Sequence, residues 1–233
     1  MSIELCIPAY NEEGIIAEAA RAVLQVFRGA GKEALVTVAD NASTDGTVRA
    51  AKSVPGVSVL SVPVRGKGAA VIVTAQNSKA DMFGFIDADL SADPEDIIPL
   101  LSLVEEGECD IAVGSRLIDA AAVNRGAFRT VSSRVFNMLR KSILGIGVED
   151  TQCGLKLMNA RGRAVLAACK ETGWFFDIEF LFRAERAGLR ICEVPVHWNE
   201  HHFADRASKL RLLRDGFGAL AAMMRIRRRS VTE

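Results

Sequence analysis

Phe83-Gly84-Phe85-Ile86-Asp87-Ala88-Asp89-Leu90 is the stretch around which the chain is organised. The apolar run from Met82 to Ile86 reads as a buried strand, and it stops abruptly at two carboxylates separated by one alanine. In an open α/β sheet, ligands collect beyond the carboxyl ends of the strands. Two acids placed two residues apart on extended chain point to the same side. Such a pair suits a hard divalent cation that takes oxygen ligands and keeps a substrate diphosphate in its shell. Asp-x-Asp by itself is also a common polar turn or helix cap, and taken alone it favours that simpler reading. The rest of the chain decides between the two.

Strand-like and helix-like segments alternate on both sides of this stretch. Ile3 to Ile7 is an apolar run stopped by Pro8, and Asn11-Glu12-Glu13 opens a helix with Ile16, Ala19, Ala20, Val23 and Phe27 at helical spacing. Ala34 to Ala39 reads as the second strand, followed by a turn, Ser43 to Thr47, and a helix near Val48 to Ser53. Val57 to Val62 is the third strand, and Gly66-Lys67-Gly68 opens a helix over Ala69 to Ser78. After the central stretch, Asp93-Pro94-Glu95 starts another helix, with proline in its first turn, and Ile111 to Val113 is a fifth strand. Unalternating apolar strands separated by helices imply a parallel sheet covered on both faces. Residues Met1 to about Arg116 are therefore expected to form a doubly wound α/β unit. Its first βα turn, Pro8 to Glu13, has neither GxGxxG nor GxxxxGK[ST], which argues against a dehydrogenase and an ordinary ATPase.

The second half has a different texture. Phe128 to Leu144 has a helical apolar face, Leu155 to Met158 and Arg190 to Val196 read as strands, and helices are expected near Arg161 to Cys169 and Asp177 to Ala187. A last helix is expected over Leu210 to Arg229. The 233 residues and 49% hydrophobic content are enough for one domain with an appendage, here divided at 1–205 and 206–233. The formal net charge is zero, so bulk charge gives no reason to expect a nucleic-acid partner. Charge is nevertheless uneven: Asp205 to Glu233 carries eight Lys/Arg against three Asp/Glu. Five scattered cysteines without a CxxC pair read as reduced core residues of a cytoplasmic protein. The N-terminus enters a strand directly, which does not read as a signal peptide. No apolar stretch reaches the roughly 18 to 20 residues that a membrane span needs.

Four polar clusters fall at strand ends: Tyr10-Asn11-Glu12, Asp40-Asn41, Arg65-Gly66-Lys67 and Asp87-Ala88-Asp89. A parallel sheet places such ends on one edge. Carboxylates there can hold a base or ribose, while a glycine-flanked lysine and a metal ion can hold a diphosphate. One such cluster is an ordinary turn, but four at one edge outweigh that reading.

In order along the chain, Ile7-Pro8-Ala9-Tyr10-Asn11-Glu12-Glu13, Asp40 to Thr47, Arg65-Gly66-Lys67-Gly68-Ala69-Ala70 and Asp87-Ala88-Asp89-Leu90 resemble glycosyltransferase family 2. Gly114-Ser115-Arg116, Asp150-Thr151-Gln152-Cys153-Gly154 and Phe176-Asp177-Ile178-Glu179 resemble the branch containing dolichyl-phosphate glucose and mannose synthases. The resemblance implies a GT-A fold, a nucleotide-sugar donor and Mg2+ or Mn2+. It implies that Pro8, Tyr10, Glu12 and Asp40 hold the nucleoside and that Lys67 and Asp87 lie near the nucleotide. Asp89, with Asp87 beside it, is implied as the metal ligand. Ser91 stands where related enzymes often carry Gln.

On the acceptor side, the resemblance implies that Arg116 and Arg134, with Arg129 near them, meet a polyprenyl phosphate, whereas Arg125 and Arg140 read as a solvated face. Asp150 is the best candidate for positioning or weak base assistance. Asp177 and Glu179 are either braces behind the site or ordinary acids of a helix N-terminus. His197, His201 and His202 read as loop residues, not as metal ligands. Arg206, Ser208 and Lys209 are candidates to close over the diphosphate, although related synthases reach their Gly-Ser-Lys sooner after Trp-x-Glu. The resulting expectation is an inverting, metal-dependent hexosyltransferase lying on the cytoplasmic face of a membrane. Its basic C-terminal helix would meet anionic lipid, and a membrane-protein partner or a homo-oligomer is compatible with it. Two rivals are a family member with a glycan or small-molecule acceptor and a nucleotide-sugar-binding protein without catalysis.

Overall fold

The computed structural model of the chain describes residues 1–118, the backbone of 123–124, and residues 143–199 and 222–229. In chain order it contains β1 (Ile3–Ala9), α1 (Ile16–Gly29), β2 (Leu35–Asp40), α2 (Thr47–Lys52), β3 (Val57–Ser61), α3 (Lys67–Asn77) and β4 (Met82–Phe85). A 3-10 turn (Pro94–Asp96), α4 (Ile97–Glu105), β5 (Ile111–Ser115) and β6 (Val123–Asn124) follow. The remainder is β7 (Lys156–Asn159), α5 (Ala160–Ala167), α6 (Phe176–Arg186), β8 (Ile191–Pro195), β9 (Trp198–Asn199) and a helix, α7, over 222–229.

One seven-stranded sheet runs in the order β3-β2-β1-β4-β7-β5-β8. Only β7 runs antiparallel to its neighbours, β4 and β5. The second half of the sequence thus completes the sheet begun by the first. Chain order reverses between β1 and β4, which makes their carboxyl ends the switch point at which open α/β sheets bind ligands.

The strands are apolar because both faces are covered. Ile7, Phe27, Leu100 and Leu157 lie in the layer on one face. Val71, Phe85, Met158, Phe176 and Met223 lie in the layer on the other. Leu157 and Met158 fall on opposite sides, as successive strand residues must. Helix α1 buries Ile16, Ala19, Ala20, Val23 and Phe27, the face its spacing predicts. It closes through Gly31 at φ +66, where the left-handed backbone lets Lys32 N–H reach the Phe27 carbonyl at 2.9 Å.

The central stretch differs from the expectation in one respect. The ladder of β4 ends at Phe85, although Ile86 N–H still donates to the Cys6 carbonyl at 3.0 Å. Asp87 to Leu90 is then a tight turn, not extended chain: Leu90 N–H donates to the Asp87 carbonyl at 3.0 Å, and Leu90 has φ +49. The two acids are brought together by the turn and not by strand alternation. The other non-glycine residues with positive φ among those described, Asn11 and Ala42, lie in the loops after β1 and β2. Left-handed backbone at a side-chain-bearing residue costs on the order of 1–2 kcal/mol, and here it gathers at one edge of the sheet.

Of the expected helix over Phe128 to Leu144, residues 128–142 lie outside the described residues, as do 210–221 of the expected C-terminal helix. Within α7, Ala222, Met223 and Ile226 are buried, while Met224 is 44% exposed. Arg225 does not project freely into solvent. It instead forks onto Glu171 at 3.0 and 3.1 Å, with Arg229 on the same carboxylate at 3.2 Å.

Candidate active site

The loops after β1 and β2 are stitched into one wall. Asn11 N–H donates to Ser43 Oγ at 3.0 Å, and Asn11 Oδ1 accepts the Thr44 N–H at 2.8 Å. Glu12 N–H donates to Thr47 Oγ1 at 2.8 Å. Pro8, Tyr10, Glu12 and Asp40 all lie on this wall. Asp40 is buried and accepts the Ser43 N–H at 3.3 Å, while the Arg65 guanidinium lies 5.1 Å from the Tyr10 ring centre. Asn41 ties the wall to the next loop: Nδ2 donates to the Val64 carbonyl at 2.5 Å, and Oδ1 accepts the Gly66 N–H at 2.6 Å. The sequence reading gave Asn41 no role of its own, and the available signal was its place beside Asp40 in a strand-end cluster.

Lys67, at the start of α3, puts Nζ 2.7 Å from Asp87 Oδ1. The same ammonium lies 5.0 Å from the Trp174 ring centre and 5.9 Å from that of Phe176. Burial works against its charge, but the carboxylates of Asp87 and Asp177 outweigh burial and raise its pKa. Gly154 lies against the other side of Asp87, where any Cβ would overlap Oδ2. Asp89 stands open to solvent at the turn, with Oδ1 accepting the Ser91 N–H at 3.0 Å. Partial desolvation, followed by the like charge of Asp87, raises its pKa.

Arg116 follows β5 and grips Asp150 from the opposite side of this centre. Its Nε and Nη2 donate to the two carboxylate oxygens at 2.6 and 2.7 Å, and its backbone N–H adds a bond of 3.0 Å. Arg116 also lies 4.4 Å from the Trp198 ring centre. Burial opposes the charge of Asp150, yet Arg116 outweighs it and lowers the pKa. Glu193 fixes the loop by accepting the N–H groups of Glu149 and Asp150 at 2.7 and 2.9 Å. The turn after Asp89 is held by Asn199 N–H, which donates to the Ser91 carbonyl at 2.8 Å.

Beneath the site, the fully buried Lys156 donates to Asp177 Oδ1 and to the Cys153 carbonyl, each at 2.7 Å. Asp87, Lys67, Asp177 and Lys156 thus form a series of alternating charge running inward. Lys156 escaped the sequence reading, although a lysine inside the apolar run Leu155 to Met158 was a visible signal. Asp177 and Glu179 are not simple helix-end acids. Glu179 accepts the N–H groups of Lys170 and Glu171 at 2.9 and 2.6 Å and pairs with Arg183 at 2.9 Å. His197 is tied to Asp96 at 2.9 Å. Arg129, Arg134, His201, His202, Arg206, Ser208 and Lys209 lie outside the described residues.

Among the described residues, no group of three His, Cys, Asp or Glu side chains forms a ready metal cage. Two carboxylates suffice for a hard cation whose remaining positions are taken by phosphate and water. The crowding of Asp89 by Asp87 is what a dication relieves, and glycine at 154 leaves room for the Asp87 carboxylate. The donor set therefore fits Mg2+ or Mn2+.

The family model for "Glycosyl transferase family 2" matches residues 4–162. The chain belongs to that family. Among its family 2 relatives, an undecaprenyl-phosphate mannosyltransferase of Micrococcus luteus is 32% identical over 88% of this chain and 86% of its own. A dolichyl-phosphate beta-glucosyltransferase of Drosophila melanogaster is 31% identical over 86% of this chain and 68% of its own. The chain spans only 37 to 66% of the length of the first three curated relatives it matches. A solved glucosyl-3-phosphoglycerate synthase of Mycobacterium tuberculosis, in complex with Mn2+ and UDP-glucose, superposes with a TM-score of 0.65 at 26% identity, covering 96% of this chain and 75% of its own. The architecture is the GT-A fold of family 2, as the motifs implied.

Proposed function

We propose that this protein transfers a hexose from a nucleotide sugar to a polyprenyl phosphate, with inversion, at a membrane surface. The observation that carries the reading is the convergence of Lys67–Asp87, Asp89 and Arg116–Asp150 on the β1/β4 switch point. The polyprenyl-phosphate acceptors named for the relatives support the choice of acceptor. Among the described residues, no helix is long and apolar enough to cross a membrane.

The wall of Pro8, Tyr10, Glu12 and Asp40 holds the nucleoside. Asp87 and Asp89 would hold the Mg2+ or Mn2+ ion, which would supply positive charge to the departing diphosphate. Lys67 supplies a further cation on that side and is kept charged by Asp87. Arg116 receives the acceptor phosphate. Its Nε and Nη2 are spent on Asp150, and Nη1 makes no hydrogen bond among the described residues, so its N–H groups are free to meet an anion. Arg129 and Arg134 are assigned to the same phosphate, and Arg206, Ser208 and Lys209 to the diphosphate.

A phosphomonoester, with its second pKa about 6, is mostly ionised near pH 7. An oxygen of the lipid phosphate forms the new bond to C1 as the bond from C1 to the diphosphate oxygen breaks. The nucleoside diphosphate departs with the bonding pair, and no strong base is needed. Asp150 acts by positioning Arg116.

The test is incubation with radiolabelled UDP-glucose or GDP-mannose, Mn2+ and polyprenyl phosphate, followed by solvent extraction. Label in the lipid phase is expected. Label that enters only a water-soluble glycan or phosphorylated small molecule would move the protein to another acceptor. Donor binding without any transfer would make it a binding protein.

A further inference from the structure

We infer that Trp174 is the platform against which the donor hexose stacks, an assignment that rests on the donor-site reading above. Two aromatic–cation pairs flank Asp87. Arg116 and Trp198 lie on one side, with Trp198 packed against the apolar layer that contains Ile7 and Leu157. Lys67 and Trp174 lie on the other, beside Phe176 of the opposite layer. Only the first indole is largely covered. Trp174 keeps 45% of its surface in water.

A single exposed apolar side chain is ordinary. Trp174 differs because its backbone is held in place. Ala69 N–H donates to the Thr172 carbonyl at 2.9 Å, and Gly68 N–H donates to the Gly173 carbonyl at 3.2 Å. The approach is so close that a Cβ at Gly66 would strike the Thr172 carbonyl, and one at Gly68 would strike Phe176 and the Glu171 carbonyl. On its other side the segment is anchored through Glu171 to Arg225 and Arg229. A half-exposed indole on a backbone held in this way is a partly preorganised surface, because less freedom remains to be lost on binding.

The neighbourhood selects the occupant. The indole lies beside an ammonium ion paired with a carboxylate, a setting unsuited to an isoprenoid chain. It suits a ligand with one apolar and one hydroxylated face, and a pyranose presents its C–H face to an aromatic ring while its hydroxyls meet charged groups. The hexose is joined directly to the diphosphate that Lys67 faces, so an indole 5.0 Å from Lys67 Nζ is within reach of that ring. The acceptor phosphate belongs to the Arg116 side.

The test compares calorimetric affinities for UDP-glucose against UDP, and for GDP-mannose against GDP, all with Mn2+. For the pair that binds wild type, Trp174→Ala should weaken the nucleotide sugar about tenfold and leave the diphosphate within about twofold. Trp174→Phe should recover most of the loss. Trp174→Leu, which keeps apolar bulk without an aromatic face, gives the same readout if the alanine variant does not fold. If neither pair binds wild type, the donor-site reading fails and this assignment with it. If wild type binds but Trp174→Ala leaves the sugar-to-diphosphate ratio unchanged, the donor site stands and the platform is overturned.

Discussion

Arg116 and Asp150 are locked fork to fork, with parallel hydrogen bonds of 2.6 and 2.7 Å and a third from the arginine backbone. Both carboxylate oxygens are therefore committed to one cation. Bidentate pairing of this kind fixes direction as well as charge. It also removes Asp150 from contention as a strong base, since the pairing holds its pKa below the ordinary carboxylate range.

Asp150→Asn should accordingly act through Arg116. A charge-assisted hydrogen bond contributes about 1.5–3 kcal/mol, so the acceptor KM should rise roughly ten- to a hundredfold. The donor KM should stay within about twofold. Steady-state kinetics with each substrate varied in turn separates the two; a collapse of kcat with both KM values unchanged would restore Asp150 to a direct chemical role.

The same pair sets an acid limit. An unfolded aspartate titrates near 3.9, and the folded value here is lower. The stability it contributes is present above the unfolded value and is lost as pH falls through the folded one. The difference in Tm between wild type and Asp150→Asn should therefore shrink as pH is lowered below about 4. A difference that stays constant across that range would show that the charge on Asp150 contributes little.

Gly154→Ala tests the room left for Asp87. The new methyl would overlap Oδ2 and displace the carboxylate away from its place beside Lys67. The expected outcome is a higher Mn2+ requirement for turnover with a smaller effect on the acceptor KM. Asp89→Asn should leave the fold intact and abolish turnover. Full activity of Asp89→Asn in the presence of chelator would remove the metal from the reading.

Much of this was legible in the sequence because period and punctuation act locally. Apolar runs, interrupted only by Glu4 in β1 and Thr37 in β2, gave β1, β2 and β4, and the polar clusters after them marked the ligand edge. The antiparallel insertion of β7 between β4 and β5 was not legible, since pairing order depends on contacts between segments far apart in the chain. The pairing of Lys156 was hidden for the same reason: its partner Asp177 is 21 residues away and on another element. The turn at Asp87 to Leu90 was misread as extended chain because leucine is a poor predictor of left-handed backbone.

Lys156→Met measures what the buried pair contributes. Removing the ammonium leaves the buried Asp177 without its hydrogen-bonded cation and with only the more distant Lys67 to balance it, at a cost of about 3–5 kcal/mol. Lys156→Met combined with Asp177→Leu should recover most of that stability, because a well-packed apolar pair often replaces a buried ion pair without loss. If the two losses simply add in chemical denaturation, the pair is not coupled. Recovered stability without recovered turnover would show that the charges serve the site and not the fold.

The C-terminal arginines differ in what they touch. Arg225 and Arg229 share the single carboxylate of Glu171, which offsets only one of their two charges but holds both guanidinium groups against the protein. Arg228 is exposed, and Arg227 donates to the Ile143 carbonyl at 3.2 Å. Each surface cation near anionic lipid contributes about 1 kcal/mol. Changing Arg227, Arg228 and Arg229 together to Gln should therefore weaken liposome binding. Arg225→Gln should instead lower Tm by loosening α7 from the Glu171 segment. The measurement is co-sedimentation with anionic liposomes at low and high salt, where charge-driven binding falls as salt rises. Wild-type protein that stays in the supernatant at low salt, yet glycosylates lipid presented in bilayers, would show that this basic end is not the anchor.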